Sequence, residues 1–524
     1  MSIKEHLKKL AIKERCENDY LFFVRYFLKH RESSRFIVNW HHLLIADAIS
    51  SVVEGKVKNI IINVAPGSSK TEMAVINFMA WSLIKNRWCR FLHVSYSDDL
   101  ALTNSHKAKD LVESDEFQEL WPMQIASDAK AKKRWNVMQG SKIAGGVYAV
   151  SLGGQITGFR AGRMVPEFCG AILIDDPLKP EDAFSKTKRD AANRKLLSTV
   201  KSRRANPNTP IIIIMQRLAE NDCTGFIEKG NLGDDWKYIK IPAMIDDAYV
   251  KTLPEKLQKL VDSSTRQSVV VDENTGDKKE FFSYWPYKEP IDELIAMSKG
   301  GPDKDGSRMS RHVFSGQYQQ NPVALGGNLI QGHWFIKYKI LPRIKYRIIY
   351  ADTASKTKEA NDYSVFQCWG MGYDNKIYLI DQIRGKWEMH ELRKRAKAFW
   401  AKHKALDDDD KWGTLRIVKV EDKSSGIGLI QDIKADEDGF PIKPIERHID
   451  KLTRLLDAEP YIHDGFVCIP ETAEFTNDYI AEFEAFTADD THAFDDQVDP
   501  TCDAVKDMLS TLGNSIKKWE KLAQ

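Results

Sequence analysis

A lysine followed by a threonine, Lys70-Thr71, ends a loop of small residues that comes after a short apolar run. The run, residues 59–64, is β-branched and too short for a helix, which predicts a buried strand. Helical periodicity then extends from Thr71 to Asn86. In this arrangement backbone N–H groups hold phosphates, the lysine neutralises the β/γ oxygens and the hydroxyl ligates Mg²⁺. The stretch therefore predicts a P-loop.

The match to the P-loop pattern is incomplete. The two glycines of the motif would fall at Val64 and Ser69, and Gly67 is displaced into the loop. An ordinary strand-to-helix turn with a surface lysine therefore remains an alternative. If the loop binds a nucleotide, the residues in contact with it are Pro66, Gly67, Ser68, Ser69, Lys70, Thr71 and Glu72.

A second motif, about a hundred residues later, decides in favour of nucleotide hydrolysis. The apolar strand 170–175 ends in Asp175 and Asp176, and burying two acids is costly unless a cation lies beside them. Asp175 would hold Mg²⁺ through water, and Asp176 would orient or deprotonate the attacking water. Taken alone, the motif could be a β-turn. Together with the lysine–threonine loop it predicts an ATPase.

Further polar residues follow the predicted strands. The strand 210–216 ends in Gln216 and Arg217, and parallel strands place such groups beside the ligand. A glycine-rich turn, residues 153–163, carries Arg160 and Arg163, which are candidates for an arginine finger, although the glycines could serve a hairpin only. Residues 1 to about 245 are therefore predicted to form a doubly wound α/β ATPase domain.

Residues 1–58, before the P-loop, are predicted to be helical and are rich in aromatic residues. Aromatic residues at helical spacing belong to a hydrophobic core more often than to a ligand site. The alternative is that Trp40-His41-His42 flanks an adenine pocket. The basic run 130–134 is either a solvated face or a DNA contact.

Composition limits the remaining possibilities. A chain of 524 residues is too long for one core, so two or three domains are expected. Its 42% hydrophobic and 29% charged content is that of a soluble globular protein, and no apolar run is long enough to cross a bilayer. The seven cysteines are scattered without a C-x-x-C pair, which predicts free thiols in a reducing compartment.

Acidic residues dominate the chemistry of the last third. Asp352 and Glu421 end predicted strands, and Asp495, Asp496 and Asp499 lie in a stretch, residues 461–503, with twelve carboxylates and no lysine or arginine. Acids arriving from three distant places predict oxygen ligands for two Mg²⁺ or Mn²⁺ ions, the arrangement that cleaves phosphodiesters. The alternative is solvated surface, which we accept for residues 407–410.

Taken together, these motifs resemble the large subunits of tailed-bacteriophage terminases. The resemblance rests on residues 65–72, 94–97, 172–177, 215–217, 317–322, 350–352, 420–422 and 495–499, and it covers nearly the whole chain in the family's order. It implies an additional-strand P-loop ATPase domain joined to a ribonuclease H-like nuclease domain. The expected segments are an N-terminal helical segment at 1–58, an ATPase core at 59–245, a linker subdomain at 246–330, a nuclease domain at 331–510 and a tail at 511–524.

The resemblance also implies roles for individual residues. Lys70 and Thr71 would take the P-loop roles, and Arg160 or Arg163 would be the finger. Gln216 and Arg217 would couple hydrolysis to movement. Asp352, Glu421 and Asp495 would hold the nuclease metals, with Asp362, Asp422, Asp496 and Asp499 as neighbours. Ser69 departs from the family's glycine, which puts the path of the loop in question.

The implied cofactors are ATP and Mg²⁺, with Mn²⁺ as an alternative for the nuclease. The implied partners are double-stranded DNA, a portal protein, a terminase small subunit and further copies of this chain in a ring on the procapsid, in the host cell cytoplasm and without a membrane. Two rival classes are a DNA translocase of a restriction system and a transposase-like protein. The order of the two predicted domains favours packaging over both.

Overall fold

A computed structural model describes residues 3–510, apart from 34, 127–132, 155, 157, 234, 262–267, 272–277, 304–305, 323–328, 354–362, 448 and 488–494. The chain divides into two compact units. One comprises Met1–Ile295 with Ser315–Val323, and the other comprises Ala296–Phe314 with Ala324–Gln524. The predicted linker subdomain is thereby shared between them. Within the described residues, no helix is both long and apolar enough to cross a membrane.

The N-terminal unit is built on a seven-stranded sheet in the order β3-β4-β2-β5-β6-β1-β7. Its strands are β1 (Asn59–Val64), β2 (Arg90–Ser95), β3 (Arg134–Gln139), β4 (Lys142–Ser151), β5 (Ile172–Asp175), β6 (Ile211–Met215) and β7 (Lys237–Ile241). All neighbours are parallel except β3, which is antiparallel to β4. The central strands β1, β5 and β6 are buried along their whole length, which explains their runs of isoleucine.

Helices cover this sheet, and a three-stranded sheet in the order β8-β10-β9 follows it. The helices are α1 (Ile3–Asn18), α2 (Tyr20–Glu32), α3 (Trp40–Val53), α4 (Asn77–Lys85), α5 (Asp98–Glu113), α6 (Asp115–Leu120), α7 (Lys186–Lys195), α8 (Cys223–Glu228), α9 (Asp247–Thr252) and α10 (Glu255–Gln258). The further strands are β8 (Met244–Ile245), β9 (Ser268–Val271) and β10 (Lys278–Ser283). The chain passes between the units three times: within α11 (Ile291–Ser298), within α12 (Arg311–Gln317) and between Val323 and Ala324.

The helix after the P-loop differs from the prediction. The expected single helix from Thr71 to Asn86 begins instead with a π-helical turn, Glu72–Ile76, and continues as α4. The Asn77 side chain donates to the Glu72 carbonyl at 2.8 Å, at the junction of the two segments. Single π-turns inside helices occur often at functional sites.

The C-terminal unit contains a second seven-stranded sheet, in the order β11-β17-β14-β13-β12-β15-β16. Its strands are β11 (Ile336–Tyr338), β12 (Ile344–Asp352), β13 (Ser364–Gly372), β14 (Ile377–Gly385), β15 (Thr414–Glu421), β16 (Ile442–Ile445) and β17 (Val467–Pro470). Strands β12, β13 and β14 form an antiparallel meander, while β15 and β16 run parallel to β12. Its helices are α13 (Met389–Lys404), α14 (Ser424–Ala435), α15 (Lys451–His463), α16 (Thr476–Ala485) and α17 (Val498–Val505).

Both sheets confirm the predicted α/β fold class. Parallel pairing has one consequence that matters for function, because it brings the carboxyl ends of separated strands to one edge. In the N-terminal unit these are the ends of β1, β5 and β6, and in the C-terminal unit those of β12 and β15. The seven cysteines are free and buried, as predicted.

Candidate active sites

The P-loop leaves β1 through two residues with left-handed backbone. Gly67 has φ +70° and Ser69 has φ +64°. Ser69 stands where the motif has glycine, so the loop keeps a glycine-like path at a strain of about 1 kcal/mol or more. The Ser69 carbonyl accepts from the Met73 N–H at 3.0 Å and so begins the helix. The missing glycine therefore does not disrupt the loop.

The side chains of Lys70 and Thr71 both point to the predicted acids. Lys70 is 6% exposed, and its Nζ donates to Asp176 Oδ1 at 3.3 Å and also to Gln216 Oε1. The Thr71 hydroxyl lies 3.1 and 3.0 Å from the two carboxylate oxygens of Asp175. Residues from the ends of three strands thus meet at one edge of the sheet, as the sequence predicted.

Asp175 is buried, and a residue that the sequence analysis did not single out holds it. Asn104, on α5, donates to Asp175 Oδ2 at 3.0 Å. Burial and the neighbouring Asp176 raise the pKa of Asp175 to about 7, against the opposing effects of Lys70, Thr71 and Asn104. A carboxylate pair with this little cationic charge suits a divalent cation, so the residues present fit the Mg²⁺ that a P-loop implies.

Asp176 itself has a strained backbone, with φ +45°. Its N–H donates to the Ile214 carbonyl at 2.9 Å, and its own carbonyl accepts from the Tyr96 N–H at 3.0 Å. These bonds to β6 and to the end of β2 hold the conformation in place. A non-glycine residue kept in this region is characteristic of functional sites.

Gln216 and Arg217 lie at the end of β6, and the next residues fix them. Arg217 Nε donates to both carboxylate oxygens of Asp222 at 3.1 Å. Its backbone N–H donates to Gln320 Oε1 at 3.0 Å. Gln320 belongs to the motif at 317–322, and Gln319 from the same motif bonds both backbone groups of Met244. The motif is therefore a structural part of the N-terminal unit.

The other face of the P-loop is packed by residues from outside the predicted core. Lys288 Nζ donates to the Pro66 carbonyl at 3.0 Å, and a side chain at Gly67 would collide with it. His41 and His42 are fully buried, and burial lowers both pKa values, that of His42 to about 3. Trp40 instead lines an aromatic cavity of about 190 Å³ with Tyr284, Trp285 and Tyr287. An adenine pocket at Trp40–His42 remains a prediction.

Both candidate finger arginines lie at the opposite edge of the sheet from the P-loop. Arg163 Nε donates to the Trp88 carbonyl at 3.0 Å, a second nitrogen donates to the Ala144 carbonyl, and the guanidinium stacks on Trp88. Arg160 is exposed, next to Gly162, whose N–H bonds the first residue of β2. Neither arginine can therefore reach the P-loop of its own chain. Arg163 is already held by hydrogen bonds to backbone carbonyls of its own chain.

In the C-terminal unit, the predicted acids line one cavity of about 410 Å³. Asp352 ends β12 and Glu421 ends β15, while Asp495 and Asp496 precede α17 and Asp499 lies within it. The structure thus brings all five together. Asp422 is exposed, and Asp362 lies outside the described residues, as does His492.

Three basic residues that the sequence analysis missed lie among these acids. Arg447 is central. Its Nη1 is 3.3 Å from Asp352, 3.0 Å from Glu421 and 3.2 Å from Asp499, and its Nη2 is 2.7 Å from Asp503. On α15, Lys451 contacts Asp495 at 2.6 Å and Asp499 at 3.4 Å, and Arg454 pairs with Asp499.

These cations determine the charge states of the acids. Arg447 and Lys451 contribute to lowering the pKa of Glu421 and of Asp499 respectively, against burial. Burial raises the pKa of Asp352 well above its ordinary value, and Asp499 and Glu421 add to this. Asp496 accepts from Arg384 at 3.1 Å, yet burial raises its pKa.

Carboxylate oxygens are the donors that Mg²⁺ and Mn²⁺ prefer, so the residue types fit a divalent cation. Their arrangement is less simple. In the part of the chain that the structure describes, no three acidic, histidine or cysteine side chains form a metal-binding group. The guanidinium of Arg447 lies between Asp352, Glu421 and Asp499 instead.

Solved structures with a similar fold include several terminases. The large terminase of one thermophilic bacteriophage, solved in complex with ADP, is 11% identical, covers 88% of this chain and 98% of its own, and has a TM-score of 0.47. The HK97 bacteriophage large terminase is 12% identical, covers 93% of this chain and 100% of its own, and has a TM-score of 0.33. The large terminase nuclease of thermophilic phage G20c, solved with bound magnesium, is 15% identical, covers 32% of this chain and 82% of its own, and has a TM-score of 0.22.

Sequence comparison is informative for the C-terminal unit. No curated protein matches the chain. Residues 349–507 match the family model described as the terminase RNaseH-like domain, and this range contains Asp352, Glu421, Arg447 and Asp495. The C-terminal unit therefore matches a terminase RNaseH-like domain, and over these residues the predicted resemblance to terminase large subunits is confirmed.

Proposed function

We propose that this chain is a DNA-packaging motor and nuclease. Its N-terminal unit hydrolyses ATP to move double-stranded DNA into a procapsid, and its C-terminal unit cuts concatemeric DNA. One observation carries the first activity: Lys70 and Thr71 contact Asp176 and Asp175 across the carboxyl edge of the sheet. A structural turn would not need a buried acid bonded to the threonine and, beside it, a second acid bonded to a buried lysine.

The residues of this edge have separate roles. In the structure Asp176 and Gln216 bond Lys70, and phosphate oxygens of ATP would take over that lysine. Thr71 and Asp175 would hold Mg²⁺, which would supply charge neutralisation at the phosphates. Asp176 lies beside them on a fixed backbone and would orient or deprotonate the attacking water.

Movement needs the site to be linked to other parts of the unit. Gln216 contacts Lys70, and the next residue, Arg217, is bonded to Asp222 and Gln320. A change at the phosphates would therefore reach the 317–322 motif through two adjacent residues. This supports the coupling role proposed for Gln216 and Arg217.

The nuclease proposal rests on the acid-lined cavity in the RNaseH-like domain. Asp352, Glu421, Asp495, Asp496 and Asp499 would hold divalent metal, which would activate water for attack on a phosphodiester. Because such chemistry acts on the phosphate, little sequence preference is expected. The proposed partners are double-stranded DNA, a portal protein, a small subunit and copies of this chain in a ring, in the host cytoplasm.

The purified chain tests both activities side by side. We expect ATP hydrolysis that DNA stimulates, and plasmid cleavage that needs millimolar Mg²⁺ or Mn²⁺ and fails with Ca²⁺ or chelator. Omitting ATP should leave cleavage in place. Cleavage in excess chelator would contradict the metal-dependent nuclease, and absence of ATP turnover with and without DNA would contradict the motor.

A further inference from the structure

We propose that the acidic cavity of the C-terminal unit takes up one divalent cation, and that Arg447 permanently supplies the positive charge that a second metal ion would bring. This inference rests on the proposed nuclease function and departs from the two ions that the sequence suggested. It makes Arg447 a positioning residue for the acids of the site. Three properties of the cavity support it: the contacts of Arg447, the charge balance, and the anchoring of the cations.

The contacts of Arg447 are those expected of a central cation. Its side chain is 2% exposed, and within 3.3 Å it meets carboxylates from four separate positions, Asp352, Glu421, Asp499 and Asp503. These acids come from β12, β15 and α17. Guanidinium is planar and permanently charged, so it can bridge several carboxylates at once. Arg447 thus joins strand-end and helix acids that would otherwise repel one another.

The charge balance leaves room for one divalent ion. The acids of the cluster are Asp352, Glu421, Asp495, Asp499 and Asp503, and the bases in contact with them inside it are Arg447, Lys451 and Arg454. With all five carboxylates ionised, the form in which carboxylates bind metal, the three cations leave two formal negative charges. A single Mg²⁺ or Mn²⁺ would balance these, whereas two ions would leave an excess of positive charge in a buried cavity.

The exposed and outer groups around the cluster do not alter this balance. Lys423, 72% exposed, contacts Glu421, and Asp450 is exposed as the N-cap of α15, so their charges offset each other. Asp496 is paired with Arg384, which also contacts Glu482, an acid that does not line the cavity. The two uncompensated charges therefore belong to the cluster itself.

Arg447 is unsuited to leaving the site when metal enters. Its Nε and Nη2 bond Asp503 at 3.2 and 2.7 Å, and since Asp503 does not line the cavity, this anchor persists when a metal ion binds the other acids. The cations on α15 support the same arrangement, since Lys451 and Arg454 lie one turn apart and both contact Asp499. We therefore expect Arg447 to remain in place beside the bound ion.

Crystals of the full chain soaked in Mn²⁺ test this directly, because anomalous scattering counts and places the ions. We expect one Mn²⁺ peak in the cavity, with Arg447 unmoved. Two peaks about 4 Å apart would overturn the inference and leave the nuclease proposal standing. No peak in the cavity at millimolar Mn²⁺ would overturn the nuclease proposal as well.

Two variants assign the effect to Arg447. Arg447→Ala removes the built-in charge, so a second Mn²⁺ peak should appear where the guanidinium lay, while Arg447→Lys should keep one. A single peak in both variants would refute the role of Arg447. If Arg447→Ala does not fold, the number of ions in the parent chain still decides the matter.

Discussion

At the carboxyl edge of the N-terminal sheet one lysine serves two adjacent aspartates and contacts the second of them, whereas in the C-terminal unit the five carboxylates of the cluster around Arg447 contact three cations. Within the described residues, Lys70 is the cationic side chain in contact with the Asp175–Asp176 pair. Arg447, Lys451 and Arg454 serve the acids of the cavity. Both sites gather acids at strand ends, but only the second brings most of the opposing charge with it.

The difference indicates what each site must obtain from elsewhere. Burial and the neighbouring Asp176 raise the pKa of Asp175 to about 7 despite Lys70, while the basic residues around Glu421 and Asp499 lower the pKa of both against burial. Asp352 is the exception, because burial and its acidic neighbours outweigh Arg447. Under the proposed function, the ATP site would take its missing positive charge from the metal ion and from a neighbouring chain, whereas the cavity already holds most of its own.

The largest expected effect is at Asp176. Asp176→Asn keeps the size of the side chain and removes its charge and basicity, so ATP turnover should fall by up to about 10⁴-fold. Steady-state ATP hydrolysis measures this, with Asp182→Asn, on a nearby surface pair, as the control. Turnover like that of the parent would contradict the assignment.

Arg160 should supply the charge that the ATP site lacks, from a neighbouring chain. It is exposed and lies at the sheet edge away from its own P-loop, and a finger contributes about 10³-fold or more to turnover. Arg160→Ala and Lys70→Ala should each be inactive alone. Mixing them should restore part of the ATPase activity, since an intact P-loop then meets an intact finger. No recovery at any mixing ratio would argue against action in trans.

Removing Arg447 should destabilise the C-terminal unit rather than merely slow cleavage. Arg447→Ala leaves buried acids unpaired, at a cost of about 3 kcal/mol or more, and Arg447→Lys should lose less. Hydrogen exchange at the amides of β12 and β15 in the full chain measures this without assuming a two-state transition. Arg343→Ala, in an exposed pair with Asp410, is the control. Equal exchange in Arg447→Ala and the control would contradict the central place of Arg447.

At His42, beside the P-loop, we expect a smaller effect, a pH dependence of the free energy of unfolding. The pKa of His42 is about 3 in the folded chain against 6.5 for the free side chain, because the ring is buried. The unfolded chain therefore binds a proton first, and stability is lost as pH falls below about 6.5, by about 1.4 kcal/mol per pH unit at most. Urea unfolding at pH 7.5 and 5.5 should show a weaker pH dependence in His42→Gln than in the parent. His6→Gln, at an exposed position, is the control and should keep the pH dependence of the parent.

The polar residues that follow the strands are the part of the two candidate sites that could be predicted from the sequence. Buried parallel strands are continuous apolar runs, so β1 has the predicted bounds, and the polar residues directly after such runs must meet at one edge. Asp175, Asp176, Gln216, Asp352 and Glu421 all follow that rule, and the loop after β1 brings Lys70 to the same edge. The left-handed Ser69 shows that a motif mismatch need not change the backbone path.

The partners of these acids could not be predicted in the same way. Asn104, Arg447, Lys451 and Arg454 lie on helices or after a short strand, where a polar residue looks like any solvated one. Only the tertiary fold turns them toward the acids. Asp407 is a further example. It belongs to the acidic run 407–410, which the sequence analysis assigned to solvated surface, yet its carboxylate lies 2.6 Å from the guanidinium of the buried Arg347.

The central claim is that one chain carries two separate active sites, and one paired assay tests it most directly. Lys70→Ala and Asp352→Ala are each assayed for ATP hydrolysis and plasmid cleavage, beside the surface controls Lys56→Ala and Asp410→Ala. We predict that Lys70→Ala loses hydrolysis and cuts DNA, that Asp352→Ala loses cutting and hydrolyses ATP, and that the controls keep both. Loss of both activities in either folded variant, or of neither, would contradict the account.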